Sequence, residues 1–409
     1  MSVLYRGWVA GPLIGALWTL TMGITVSVTV SFATGQAVSP SVLACLVFGA
    51  WLGFVWLPQG ERPREQRLLS ALVTMAIPAL VFLFYAPALV DQPETSVMTV
   101  VLAWVLFGVT AALPLVRILK SLPFGEATRH EFEEAAIRFL TGFGYIFFTA
   151  IVLIPFYVMV MTSLKNQQEL LLNPLDFSID LSKGWDLFRS YTELFLDFNF
   201  GSYLWTSAYV SVLTVVITLL FSIPGAYAVA RLRFRGRAAF SRSILLIYMV
   251  PMIVLALPIY IAFSITGLRN SLTGLVLIYP VTTIPVALYM LQGYFRGLPS
   301  EVEEAGLMDG LTRLQVIWKI TLPLSLPALA SVSLYVFMIA WNEFLLAFML
   351  LDDPSIFTLT RGVASLNSSE VPRQNLMAGA VVSTVPIMVL FLGLERFMTK
   401  GLTAGSVKG

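Results

Sequence analysis

Four carboxylates, three of them within four residues, lie in Leu298-Pro299-Ser300-Glu301-Val302-Glu303-Glu304-Ala305-Gly306-Leu307-Met308-Asp309-Gly310. Their spacing suits the start of a helix. Ser300 with Glu303 three residues on is a capping-box pattern. Glu301, Glu303 and Glu304 fall in the first turn, where the helix dipole favours anions. Gly310 reads as the stop just past the end. The helix is then about nine residues, or roughly 14 Å, too short to cross a bilayer. A second start follows: Thr312 and Gln315 form another capping-box pattern leading into Val316-Ile317-Trp318-Lys319-Ile320, and Leu322-Pro323 breaks the chain into the next apolar run. Two short helices with a glycine elbow result. Ala305, Gly306 and Gly310 are small enough to let another surface approach the backbone. The stretch reads as a docking knob; an ordinary amphipathic connector would share these features.

A second polar group lies inside an apolar run, in Ala340-Trp341-Asn342-Glu343-Phe344-Leu345. Ionisable groups within spans mark solute paths or tie helices together. Asn342 and Glu343 supply donors and acceptors of the kind a polar solute needs. Tyr335 and Trp341 offer rings against which a solute could pack, although such rings also gather at membrane interfaces. Catalytic chemistry finds no candidate. The single His130 lies in the polar run Arg129-His130-Glu131-Phe132-Glu133, and the single Cys45 sits in an apolar run, so neither an internal disulfide nor a metal cluster is expected. A phosphate-binding loop requires Gly-Lys, and no Gly-Lys dipeptide occurs in the chain. Any ATP-driven step therefore belongs to another polypeptide.

The elements that carry these residues are membrane spans. The chain of 409 residues is 58% hydrophobic and 12% charged, with a mean hydropathy of +0.85. Soluble domains carry about twice that charge fraction. Apolar stretches of near-span length recur throughout, and a bilayer forces them to be helical; the short alternating segments of a barrel are absent. The expected fold is an all-α polytopic membrane protein of about ten transmembrane helices, at 8–31, 40–58, 68–90, 96–118, 139–163, 202–229, 243–265, 272–294, 324–350 and 376–397. Placing the N-terminus in the cytoplasm puts 19 of the 25 basic residues on the inner side, which favours both termini inside. A net charge of +2 gives no hint of nucleic acid.

Two sections are expected. Residues 1–136 form a four-span extension with short connections. The polar segment from Lys120 to Arg138, with Glu126, Glu133 and Glu134, reads as a short cytoplasmic helix beside the membrane. Residues 137–409 form a six-span core with a long outer loop at 164–201, an inner loop at 300–323 and a tail at 398–409. Proline recurs in the spans, as at Pro155, Pro224, Pro258, Pro285 and Pro386. Proline bends a helix, which suits a path that opens and closes, although proline is also common in membrane helices.

Glu304-Ala305-Gly306, three residues, Gly310, nine residues, then Ile320-Thr321-Leu322-Pro323 resembles the EAA loop of ABC importer permeases, with Gly306 where alanine is usual. The lead-in Gln292 to Pro299, the segment Ala340 to Leu345 and the ending Gly401 to Gly409 are similar to the carbohydrate-uptake permeases that include the maltose and α-glucoside systems. The resemblance covers residues from about 139 to 409 and leaves the first four spans unaccounted for. It implies a six-helix type I importer core forming half of a sugar path in a bacterial inner membrane. It implies as partners a second permease subunit, a dimer of ATPase subunits that bind ATP and Mg, and an extracytoplasmic sugar-binding protein. On this resemblance Glu304, Ala305, Gly306, Asp309, Gly310, Ile320, Leu322 and Pro323 couple to the ATPase, and the tail also reaches it. A stand-alone ion-coupled carrier and an ABC permease for another solute are the alternatives. No basic residue lies away from the span ends, which favours a neutral solute.

Overall fold

A computed structural model describes residues 5–35, 38–57, 97–173, 176–367 and 371–403. Among them the regular structure is helical, with an isolated bridge between Arg6 and Glu126. Six described helices are long and apolar enough to cross a bilayer, and a bent pair adds a seventh. Nine of the ten expected spans coincide with helical segments. The remaining one, 68–90, lies outside the described residues.

The chain divides into two compact units, Met1–Leu187 and Phe188–Gly409. The first is built from α1 (Gly7–Thr34), α2 (Val42–Trp56), α3 (Val97–Ile118) and α4 (Arg129–Ser163). Glycine sets the approach of α1 to α2. A Cβ on Gly15 would meet the Gly49 carbonyl oxygen at 2.2 Å, and one on Gly53 would meet that of Gly11 at 2.1 Å. Small-residue pairs of this spacing let membrane helices touch backbone to backbone. Thr19 donates to the Cys45 carbonyl at 2.7 Å across the same contact, and Trp18 donates to the Ala111 carbonyl of α3 at 3.1 Å.

The polar run to Arg138 is not a separate helix, as expected from sequence, but the opening of α4. Thr128 and Glu131 cap it reciprocally, and Arg129–Glu133 and Arg138–Glu134 pair along it at i,i+4. With the cap in place and no proline before Pro155, the helix runs on for 35 residues. Beyond α4, Lys165 pairs with Asp176 at 2.7 Å. Burial alone would raise the Asp176 carboxyl, but the hydrogen bonds from Lys165 and Ser178 hold it below its ordinary range.

The second unit is organised around α6 (Phe200–Arg231), which follows the short α5 (Arg189–Leu196) and packs along α8 (Leu272–Gly297). One face of α6 is small and polar: Ser207, Ser211, Thr214, Thr218 and Ser222 are all buried. Four of these hydroxyls find partners inside the unit, as in Thr218–Thr283 at 2.6 Å and Ser207 with the Leu359 N–H at 2.7 Å, whereas the Ser211 hydroxyl has none among the described residues. The expected span 243–265 is interrupted. A 3₁₀ turn at Ile244–Met249 precedes α7 (Met252–Ile265), because Pro251 cannot donate within a helix and holds an extended backbone. Further helices of this unit include α9 (Ser300–Met308), α10 (Arg313–Val316), α11 (Leu326–Asn342), α12 (Leu345–Leu350), α13 (Leu359–Ser365) and α14 (Arg373–Thr403). The expected span 324–350 is thus two helices, α11 and α12, separated at Glu343-Phe344.

Candidate functional site

The inner loop forms the two short helices joined by a glycine elbow. Gly310 has φ +86, the left-handed region that glycine enters without strain. Its N–H donates to the Leu307 carbonyl and that of Leu311 to the Gly306 carbonyl, both at 3.1 Å, the double closure of a Schellman end. After the elbow, Thr312 and Gln315 cap α10 reciprocally. The chain continues through a π-helical turn at Ile317–Thr321 and a turn at Leu322–Leu324. It then bends by 79° into α11. Pro323 and Pro327 flank the bend, and the Ser325 hydroxyl closes it by donating to the Thr321 carbonyl at 2.6 Å.

The first expected cap does not form. Pro299 takes the capping position, with no side-chain bond to the helix, and Glu303 turns inward. It is 7% exposed. Its carboxylate accepts from the Tyr227 hydroxyl at 3.3 Å and from the Thr321 hydroxyl at 3.0 Å. It also pairs with Arg231 at 3.4 Å. Arg231 donates in turn to the Leu298 carbonyl at 2.7 Å. Tyr227 and Arg231 were not singled out from sequence. The signal available was two polar side chains spaced i,i+4 at the last turns of an apolar span.

Among the residues expected to couple to an ATPase, Glu304, Ala305, Asp309 and Gly310 are exposed. Met308, 87% exposed, shares that surface. Gly306 and Ile320 are not on it. Gly306 is buried, and a Cβ there would meet the Ile320 Cδ1 at 2.5 Å. Its smallness serves contact within the loop, not approach by an outside surface. Leu322 is half-buried and Pro323 exposed. The tail expected at 398–409 is described to Thr403, as the end of α14.

The polar group in the span is a helix break. Glu343 has extended backbone, and its carboxylate caps α12 by accepting from the Leu346 N–H at 3.0 Å and the Ala347 N–H at 3.1 Å. Thr360 donates to its carbonyl at 2.7 Å. The carboxylate is therefore held in place by local structure. Trp341, 3% exposed, stacks on Phe337 and donates to the Ser383 carbonyl at 3.1 Å; its ring is not presented to a solute. Asn342 is exposed and donates within its own helix to the Met338 carbonyl at 2.9 Å. Tyr335 is also exposed. Of the four residues, then, Asn342 and Tyr335 offer free surface, whereas Glu343 and Trp341 are engaged in the fold.

On the far side of this break, Asn270 joins two loops. Its N–H donates to the Leu350 carbonyl at 2.7 Å. Its side-chain oxygen accepts from the Asp352 and Asp353 N–H groups at 2.9 and 3.0 Å. Arg269 pairs with Asp352 at 2.5 Å.

Residues 222–403 match the family described as "Binding-protein-dependent transport system inner membrane component". The inner membrane ABC transporter permease protein YcjP of Escherichia coli is 39% identical over 270 residues, covering 65% of this chain and 95% of that protein. The trehalose/maltose transport system permease protein MalG of Thermococcus litoralis is 33% identical over 282 residues, covering 68% of this chain and 99% of its own length. The arabinooligosaccharides transport system permease protein AraQ of Halalkalibacterium halodurans is 32% identical over 281 residues. A solved bacterial ABC transporter for import of the acidic polysaccharide alginate shares the fold. Its TM-score is 0.57 at 22% identity, over 66% of this chain and 98% of that one.

Proposed function

Because the chain belongs to the family of binding-protein-dependent transport system inner membrane components, and is therefore a multi-pass ABC permease subunit, we propose that it forms half of the path for a sugar or oligosaccharide. The relatives named for trehalose, maltose and arabinooligosaccharides support that solute class. The energy comes from a separate ATPase dimer, which binds ATP and Mg and docks on the loop 300–323. A second permease subunit supplies the other half of the path. A sugar-binding protein delivers solute to the outer face, and both termini lie in the cytoplasm.

The observation that carries the coupling role is the two-faced build of α9. One face is fixed to the span α6 through Glu303 and to the rest of the loop through Gly306. The other presents Glu304, Ala305, Met308, Asp309 and Gly310. A helix held firmly from behind and bare in front is suited to receive a partner and pass its motion inward. Glu304→Lys reverses the charge on the bare face, and Gly310→Trp adds bulk while forcing a side chain into left-handed backbone. Each is expected to abolish ATP-dependent sugar uptake while the protein remains in the membrane. Normal uptake with both variants would defeat the proposal.

A further inference from the structure

We propose that Glu303 is the positioning residue through which the docking helix α9 moves the span α6, a role that rests on the ABC-permease reading above. Glu304, the neighbouring carboxylate, faces outward. Glu303 faces inward and joins three pieces of chain. Tyr227 and Arg231 belong to the last turns of α6. Thr321 closes the π-helical turn that leads into α11. Arg231 also holds the Leu298 carbonyl, the residue before the Pro299 start of α9. The same carboxylate thus sits behind α9, at the foot of α6 and at the root of α11.

The physics of a buried charge makes this junction stiff. A carboxylate withdrawn from water is tolerated only while its partners stay in place. A displacement of α9 relative to α6 would strip Glu303 of Tyr227 and Arg231 together, so α6 follows instead. Packing reinforces the polar contact. Val316 is fully buried, and Gly306 leaves room for the Ile320 side chain directly against α9. The segment from α9 to Thr321 therefore moves as one body with the end of α6, and the bend at Ser325 is where that body meets α11. Single π-helical turns often mark such working points.

The test uses the complete transporter, with its ATPase and binding protein, in liposomes. The readout is solute carried per ATP hydrolysed, a ratio that a general loss of folded protein does not change. Glu303→Gln keeps the shape and removes the charge. The ratio is expected to fall about fivefold or more, the scale of a typical coupling between sites. A Tyr227→Phe/Thr321→Val double variant keeps the pair with Arg231 and is expected to lower the ratio in the same direction by less. It carries the test if the Glu303→Gln chain fails to reach the membrane. An unchanged ratio in the variants, beside a wild-type complex that performs ATP-driven uptake, overturns this proposal alone. A wild-type complex without ATP-driven uptake overturns the permease reading and this proposal with it.

Discussion

Ser300-Glu301-Val302-Glu303 and Thr312-Arg313-Leu314-Gln315 carry the same pattern, a hydroxyl residue followed three positions later by a Glu or Gln, and fold differently. At the second site, Gln315 accepts from the Thr312 backbone N–H at 2.8 Å and the Thr312 hydroxyl accepts from the Gln315 N–H at 3.4 Å. At the first, Pro299 displaces Ser300 from the capping position, and Glu303 leaves the helix end for Tyr227, Thr321 and Arg231. The difference is one of competing partners. A cap is worth about 1 kcal/mol. Hydrogen bonds to a charged group contribute about 1.5–3 kcal/mol each when buried, so the inward arrangement wins wherever the rest of the fold supplies partners. Gln315, neutral and on an exposed stretch, has no such competitor.

The sharpest break in this comparison is Glu303→Ala. It leaves the largely covered Arg231 side chain, 13% exposed, without its counter-charge and two hydroxyls without their acceptor; removing one member of a fully buried pair costs about 3–5 kcal/mol, and the loss here is expected toward the lower end. Gln315→Ala removes one half of an exposed cap and is expected to cost about 1 kcal/mol or less. Thermal unfolding of the purified chain in detergent reads both. Comparable shifts in the two variants would mean that Glu303 is a cap after all.

The same contrast explains which features were legible in the sequence. The Gly310 elbow, the Thr312 cap and the described spans depend on neighbours within a few residues or on composition, and each has a helical counterpart close to where it was expected. The inward turn of Glu303 depends on Tyr227, 76 residues away in sequence, and no local pattern contains that information. Trp341 looked like a solute-stacking ring for the same reason: its N–H partner is the Ser383 carbonyl, 42 residues on. Glu343 is a different case. It caps α12 through N–H groups three and four residues ahead, a local signal obscured by the apolar run around it. The tight meeting of α1 and α2 was also within reach, because Gly11 with Gly15 and Gly49 with Gly53 are two Gly-x-x-x-Gly pairs. The four-span reading treated those stretches only as hydrophobic length. The polar run up to Arg138 was legible as helical but not as continuous with the span after it, because Thr128 and Glu131 make it the first turns of one longer helix.

A finer cut separates the two hydroxyl residues themselves. Thr312→Ala removes an acceptor that the Gln315 N–H uses, and the loss is expected to be about 1 kcal/mol. Hydrogen–deuterium exchange at the first turn of α10 should quicken by about fivefold, the factor that such a free energy corresponds to. Unaltered exchange there would show that the cap contributes nothing to holding the helix end.

The smallest effect is expected at Ser300. It occupies the first helical position behind Pro299, is exposed, and has no hydrogen bond from its side chain to the helix end. At that position the backbone N–H points out of the helix and is among the groups that no intrahelical carbonyl reaches. Alanine is the better helix former of the two, which offsets any loss of hydration at the hydroxyl. Ser300→Ala should therefore change stability by less than about 0.5 kcal/mol, the ordinary range for a surface substitution. Exchange across residues 300–304 should stay as in the parent chain. If Ser300→Ala instead loosens this turn as much as Thr312→Ala loosens its own, then Ser300 caps α9 for part of the time. Glu303 would then alternate between the helix end and Arg231, and the two matching patterns would differ in occupancy and not in kind.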